Sequence, residues 1–244
     1  MNACETALAI AREISMMRAQ EYNNMTIKAI FFDFDDTLGY REMYAYDCYR
    51  RIILENAPHL TDPFELEAVV QNCMLWDEKG NVDKTHVKDM LRKTHGIELP
   101  YEDLNKYWDQ ILWEHCVPYE DSERTLTELA KRYKLGLITN GPSDGQRNKL
   151  AHSGLSRFFN PEEIVVSGDY PFSKPDPRIF WAGCEKLGVK PEEAVYVGDI
   201  YGRDILGAHR AGMTPVWIWN WGNRKCATDI LVIHHISELL DHFY

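Results

Sequence analysis

From about residue 135 to residue 219 the chain alternates short apolar runs with helical stretches, and this rhythm restricts its fold more than any other feature. Leu135–Ile138, Ile164–Val166, Ala194–Val197 and Thr214–Trp219 read as strands, each bounded by Gly, Asp or Pro. Thr125–Tyr133, Gln146–His152, Pro177–Leu187 and Asp204–Ala211 read as the accompanying helices. Parallel strands need long crossover connections, and helices supply them, so strand–helix–strand repetition predicts a parallel sheet covered on both faces. Ile27–Phe32 is predicted as its first strand.

Residues 42–116 break the rhythm. Glu42–Asn56 has a helical pattern and stops ahead of Pro58. Asp62-Pro63-Phe64-Glu65 has the form of a helix start, with an Asp cap, Pro at the first position and an acid three residues after the cap. Asp83–His95, ending at Gly96, and Tyr101–Cys116 complete four helices with no convincing strand among them. The expected layout is a core of residues 25–39 and 118–244, an inserted helical domain of residues 40–117, and an N-terminal extension of residues 1–24. In that extension Ala3, Ala7, Ile10, Ile14 and Met17 recur at helical spacing.

Ligands of open parallel sheets bind beyond the carboxyl ends of the strands. There the sequence places Asp33-Phe34-Asp35-Asp36-Thr37, Thr139-Asn140-Gly141, Lys174-Pro175 and Gly198-Asp199 with Asp204. Asp33 and Asp35, two apart in an extended segment, share a face while Phe34 points away. Asp33, Asp35 and Asp199 repel one another unless a proton is shared or a cation intervenes. The donors are all oxygens, with no nearby His or Cys, which favours Mg²⁺ over zinc. Lys174 adds a fixed positive charge, and Thr139 with main-chain N–H groups can hold anionic oxygens. The result is a socket suited to a phosphoryl group.

Asp-x-Asp-x-Thr, Thr-Asn-Gly, Lys-Pro and Gly-Asp-x-x-x-x-Asp, in that order, resemble the four signatures of the haloacid dehalogenase superfamily. The likeness runs from about residue 27 to the C-terminus, and the helical insert resembles that superfamily's C1-type cap. It implies an α/β, Rossmann-like core and a phosphatase of the C1-capped subgroup. By the resemblance, Asp33 is a nucleophile that forms an aspartyl-phosphate, and Asp35 is the general acid and base. Mg²⁺ is held by Asp33, the main-chain carbonyl of Asp35, and Asp199. Thr139 and Asn140 bind phosphoryl oxygens. Lys174 neutralises nucleophile and phosphate, steadied by Asp204, and Thr37 fixes the first loop. Asp36 stands where many relatives carry Gly or Asn and receives no role. Arg41, His115 and Tyr119 are the candidates for facing substrate.

The second carboxylate, Asp35, separates this pattern from that of the dehalogenases, whose halide leaves without a proton. A phosphosugar mutase remains the alternative within the superfamily, and a phosphonatase would enlist one of the cap lysines Lys79, Lys84, Lys88 or Lys93. A phospho-acceptor signalling module has its Asp, Thr and Lys in a different order. The expected substrate is a small phosphorylated metabolite, either a sugar phosphate or a nucleoside monophosphate.

Charge narrows the partners. With 27 basic and 38 acidic residues the net charge is −11, which argues against binding of nucleic acid or an anionic membrane through a basic surface. No apolar run approaches a membrane span, and charged residues interrupt the N-terminus, so no signal peptide is expected. The six scattered cysteines read as free thiols of a reducing compartment. The protein is expected to be cytoplasmic and monomeric, with a homodimer as the alternative. Trp217, Trp219 and Trp221, at period two, read as one sheet face and its edge.

Overall fold

The computed structural model describes residues 27–222 and 226–243. The expected helix of residues 1–24 lies outside them.

Six parallel strands form one sheet: β1 (Ala29–Phe32), β2 (Lys134–Thr139), β3 (Val165–Val166), β4 (Ala194–Gly198), β5 (Thr214–Ile218) and β6 (Leu231–Ile233). Their order is β3-β2-β1-β4-β5-β6. The chain therefore steps outward from β1 first one way and then the other, as a doubly wound Rossmann-like sheet does. β1 sits between β2 and β4, with Phe32 level with Leu137 and Val197. All four of its residues are buried, which is why it reads as a continuous apolar run rather than an alternating one.

The described residues divide into two compact units: one holds the chain up to Leu38, Tyr119–Asn140 and Leu155 onward, the other Gly39–Pro118 and Gly141–Gly154. In the sheet unit, Phe31, Ile138, Val165, Phe180 and Leu187 belong to one buried cluster. The helical unit contains α1 (Arg41–Asn56), α2 (Pro63–Trp76), α3 (Lys84–His95) and α4 (Leu104–Ile111), the last continued by a 3₁₀ turn over Leu112–His115. Its start signals work as the sequence suggests. The Asp62 carboxylate accepts from the N–H groups of Phe64 and Glu65, Asp83 accepts from Thr85, and Gly96 closes α3 at φ 65°.

The helix α6 (Ser143–His152), which follows α5 (Ser122–Leu129) in the chain, groups with the helical unit rather than with the sheet. Its His152 ring meets Trp113 edge-on at 5.8 Å, and the Lys149 ammonium lies 5.9 Å over the Tyr44 ring. The sheet unit is completed by α7 (Pro177–Leu187), α8 (Leu206–Ala211) and α9 (Leu239–Phe243). Among the described residues no helix is long and apolar enough to cross a membrane. Cys48, Cys73, Cys116, Cys184 and Cys226 are free thiols.

Candidate active site

The first acidic loop begins where β1 ends. The Asp33 N–H donates to the Val197 carbonyl at 2.9 Å, so strand pairing continues one residue past β1 and brings Asp33 beside the Gly198-Asp199 corner. Asp33 is buried and Asp35 half-buried, while Phe34 between them lies wholly in the core, as the period of an extended segment requires. The loop then turns on Asp36, whose φ is 55°. This is the left-handed region that Gly and Asn enter most easily and that Asp also tolerates. The N–H groups of Thr37 and Leu38 donate back to the Phe34 carbonyl at 3.3 and 2.9 Å, closing the turn around a fully buried Thr37.

Lys174 is the centre of the site. It is 4% exposed, and its ammonium reaches three oxygens: Asp33 Oδ1 at 2.7 Å, Asp204 Oδ1 at 2.7 Å and the Tyr196 hydroxyl at 2.9 Å. Burial works against its charge, but Asp204 and Asp33 outweigh burial and hold its pKa above the ordinary lysine value. Its main chain is gripped as well. The Lys174 N–H donates to Asn140 Oδ1 at 3.0 Å, and Asn140 Nδ2 donates to the Lys174 carbonyl at 3.1 Å. The Asn140 side chain, expected to hold phosphoryl oxygens, is thus engaged in tying the end of β2 to the Lys174 turn. Thr139, the last residue of β2, is buried beside it in sequence.

Asp199 and Asp204 follow β4 through a π-helical turn at Tyr201–Ile205, a conformation that often marks functional sites. Asp204 folds beneath Gly198, where an added Cβ would come within 2.5 Å of its Cγ. Both Asp204 oxygens are engaged: Oδ1 accepts from Lys174, and Oδ2 accepts from the Ile200 N–H at 2.8 Å. The main chain of Asp199 is also anchored, because the Trp217 indole donates to its carbonyl at 2.7 Å. Trp217 therefore does more than fill a sheet face.

One oxygen each from Asp33, Asp199 and Asp204 lies within 4.8 Å of the others, and all three residues are buried. One lysine cannot balance them. Burial, opposed by Lys174, pushes Asp33 up to about 6. Burial together with Asp204, Asp36 and Asp33 holds Asp199 well above the usual carboxylate range. With Asp204 already engaged at both oxygens, Asp33 and Asp199 are the side chains left to meet a cation. They offer hard oxygen donors, the set that fits Mg²⁺.

Of the three residues expected to face substrate, Arg41 belongs to the helical unit. It is buried there, with its guanidinium on Asp77 at 2.8 Å. His115 is half-buried in the 3₁₀ turn after α4. Tyr119, also half-buried, starts the return to the sheet unit with its N–H on the Leu38 carbonyl at 2.9 Å. The residue most directly missed is Tyr196. A tyrosine inside an otherwise aliphatic buried strand is the available signal, because its hydroxyl must find a partner.

A lysine-neutralised aspartate among further buried carboxylates, at the carboxyl edge of a doubly wound sheet, marks an enzyme of the α/β class. Residues 30–218 match the family model described as haloacid dehalogenase-like hydrolase, and the chain belongs to that family. It is 37% identical over 198 residues to a glyceraldehyde 3-phosphate phosphatase of Methanopyrus kandleri, covering 79% of this chain and 84% of that one. It is 29% identical over 233 residues to the N-acylneuraminate-9-phosphatase of Rattus norvegicus, covering 88% and 92%. The crystal structure of a HAD phosphatase from Thermococcus onnurineus is similar with a TM-score of 0.60 at 30% identity, covering 88% of this chain and 97% of that one.

Proposed function

We propose that the protein is a Mg²⁺-dependent phosphomonoesterase that acts on a small sugar-type phosphate through an aspartyl-phosphate. The observation that carries this reading is the surplus of buried carboxylate at the sheet edge: Asp33, Asp199 and Asp204 face a single ammonium. Such a site calls for a hard cation and an anionic substrate that shares it. The phosphatase relatives, whose names specify a triose phosphate and a sialic acid phosphate, favour a sugar phosphate over a nucleotide.

In this reading residues 25–39 and 118–244 are the catalytic core, and residues 40–117 are the cap that selects the leaving group. Asp33, Asp199 and the main-chain carbonyl of Asp35 would hold Mg²⁺, which supplies charge neutralisation for the phosphoryl oxygens. Lys174 occupies Asp33 Oδ1 and leaves the second oxygen to attack phosphorus in line. The P–O bond to the leaving group breaks, and Asp35 gives its proton to the departing alkoxide. Asp35, now a carboxylate, takes a proton from water, which cleaves the acyl phosphate and restores Asp33. Thr139 meets a phosphoryl oxygen, and Asp204 steadies Lys174.

Phosphate release from a panel of phosphorylated metabolites, with Mg²⁺ and after exhaustive chelation, tests the reading. Turnover should be metal-dependent and fastest with a phosphorylated sugar or triose. Full activity after chelation, or no release from any phosphomonoester, would overturn it.

A further inference from the structure

The motif residues leave the Tyr196 hydroxyl, a buried polar group in contact with Lys174, without a role. We propose that Tyr196 is a positioning residue: its hydroxyl holds the Lys174 ammonium at the point where it faces Asp33. This rests on the phosphatase reading for its effect on turnover, but its geometry stands apart from it.

A lysine ammonium is a compact charge on a flexible stem with three donors. Here each donor has its own acceptor, two carboxylate oxygens at 2.7 Å and the phenol oxygen at 2.9 Å. The phenol has one proton. Its closer acceptor is the Ile138 carbonyl at 2.8 Å, with Asp204 Oδ1 farther away at 3.2 Å, so its lone pairs remain for Lys174. The oxygen is therefore fixed from β2 on one side and receives the ammonium on the other.

The ring is equally confined. Tyr196 lies within β4, level with Phe31 of β1 and Pro215 of β5, and Phe180 meets it edge-on at 4.9 Å. Two residues on, Gly198 lies on the same strand face and makes room for Asp204. Tyr196, Asp204 and Asp33 thus hold the ammonium from three directions. Without the phenol oxygen, one N–H of a buried cation has no partner, and the charge can swing toward the two carboxylates, lowering the fraction of Asp33 held ready to attack.

Tyr196→Phe is the test, with Phe180→Leu as a packing control that leaves the hydroxyl in place. For Tyr196→Phe, kcat should fall about tenfold or more, as expected for loss of a hydrogen bond to a charged group, with KM and the Mg²⁺ half-saturation unchanged. Phe180→Leu should lower Tm yet keep kcat within about twofold of wild type. A second readout needs neither metal nor substrate. The ammonium ¹⁵N resonance of Lys174, assigned by its loss in Lys174→Arg, should be protected from solvent exchange in the wild type. It should shift and broaden in Tyr196→Phe. Unchanged kcat in Tyr196→Phe, or losses of kcat that track Tm in both variants, would overturn the proposal. If Tyr196→Phe does not fold, the wild type decides: a contact between the Lys174 ammonium and the Tyr196 ring protons supports the proposal, and its absence overturns it. A wild type that hydrolyses no phosphomonoester counts against the phosphatase reading, while the ammonium resonance still tests Tyr196.

Discussion

Asp33 and Asp35 stand two residues apart in different surroundings, and on the proposed mechanism that difference suits them to different roles. Asp33 is buried, raised to about 6 by burial, and tied through one oxygen to Lys174. Asp35 is half-buried, where a carboxyl can exchange protons with a leaving group and with water. On the proposed mechanism Asp33→Asn removes the nucleophile, so turnover should vanish with no covalent adduct. Asp35→Asn keeps the nucleophile but loses acid and base, each typically worth about 10² to 10⁴ in rate. With an aryl phosphate the first step barely needs the acid, because the leaving group is already stable as an anion. The Asp35→Asn enzyme should therefore release one equivalent of phenol in a burst and accumulate phosphorylated Asp33. Mass spectrometry should show the added phosphoryl group, removable with alkaline hydroxylamine. An adduct on another residue, or wild type that places labelled water oxygen on phosphate in a single turnover, would exclude the covalent route.

At the scale of elements, the helical unit is built around a buried charge. Asp77, at the end of α2, receives Arg41 at 2.8 Å, the Lys84 ammonium from α3, and the Tyr49 hydroxyl from α1 at 2.7 Å. A Cβ at Gly80, whose φ is 79°, would come within 2.7 Å of the Arg41 guanidinium, so a side chain there would be strained and would press on the Arg41–Asp77 pair. Burial opposes the Asp77 charge, but Arg41 and Lys84 overcome it and bring its pKa down to about 2. A depressed carboxyl pKa stabilises the fold above the unfolded value near 3.8, and that stability is lost as pH falls through about 2. Its size is on the order of 2 kcal/mol. Asp77→Ala removes the carboxylate that two buried cations share and should cost about 3 to 5 kcal/mol, read by urea unfolding at pH 7. A loss below 1 kcal/mol would show that water reaches the cluster. Arg41 was legible in the sequence as a cation beside the first motif, but its partner Asp77 is 36 residues on, and nothing local links them. The same limit explains what else escaped sequence reading. The alternation of apolar runs and helices revealed five strands, because each carries a run of buried residues. The sixth, Leu231–Ile233, is an edge strand whose middle residue is only half-buried, so no continuous buried run marks it. The segment after Gly198 read as a polar loop with a helix starting at Asp204, whereas a π turn already begins at Tyr201, and its form depends on where Asp204 must reach. Asp33, Asp199, Asp204 and Lys174, which the structure brings together, were legible as one cluster because their types and spacing at strand ends are unusual. The hydroxyl of Tyr196, the clamp of Asn140 and the indole of Trp217 act across strands, where sequence distance says nothing.

For the molecule as a whole, the carboxylate surplus couples stability, pH and metal. Without metal, the raised Asp33 pKa means that folding is favoured fully below the unfolded value near 3.8, and this contribution is lost as pH rises through about 6. Asp199, also raised, adds in the same direction. Acidifying the metal-free protein from pH 7.5 to 5 should therefore stabilise it, by about 1 kcal/mol from Asp33 alone, or about 2 to 4 °C in Tm. Asp77 does not oppose this, since its own loss begins only below about pH 4. On the proposed reading Mg²⁺ should reverse the trend. Binding to the folded state alone stabilises it by RT ln(1 + [Mg²⁺]/Kd), and the ligands must shed their protons first. The increment in Tm from saturating Mg²⁺ should thus be large at pH 7.5 and shrink toward pH 5. Asp199→Asn should abolish most of the increment and raise the Tm of the metal-free protein at pH 7.5, because a buried repelling charge has gone. Thermal melts of both proteins at the two pH values, with Mg²⁺ and with chelator, measure all of this. An equal or larger Mg²⁺ increment at pH 5, or an Asp199→Asn variant that gains as much from Mg²⁺ as wild type, would show that the metal binds away from this cluster.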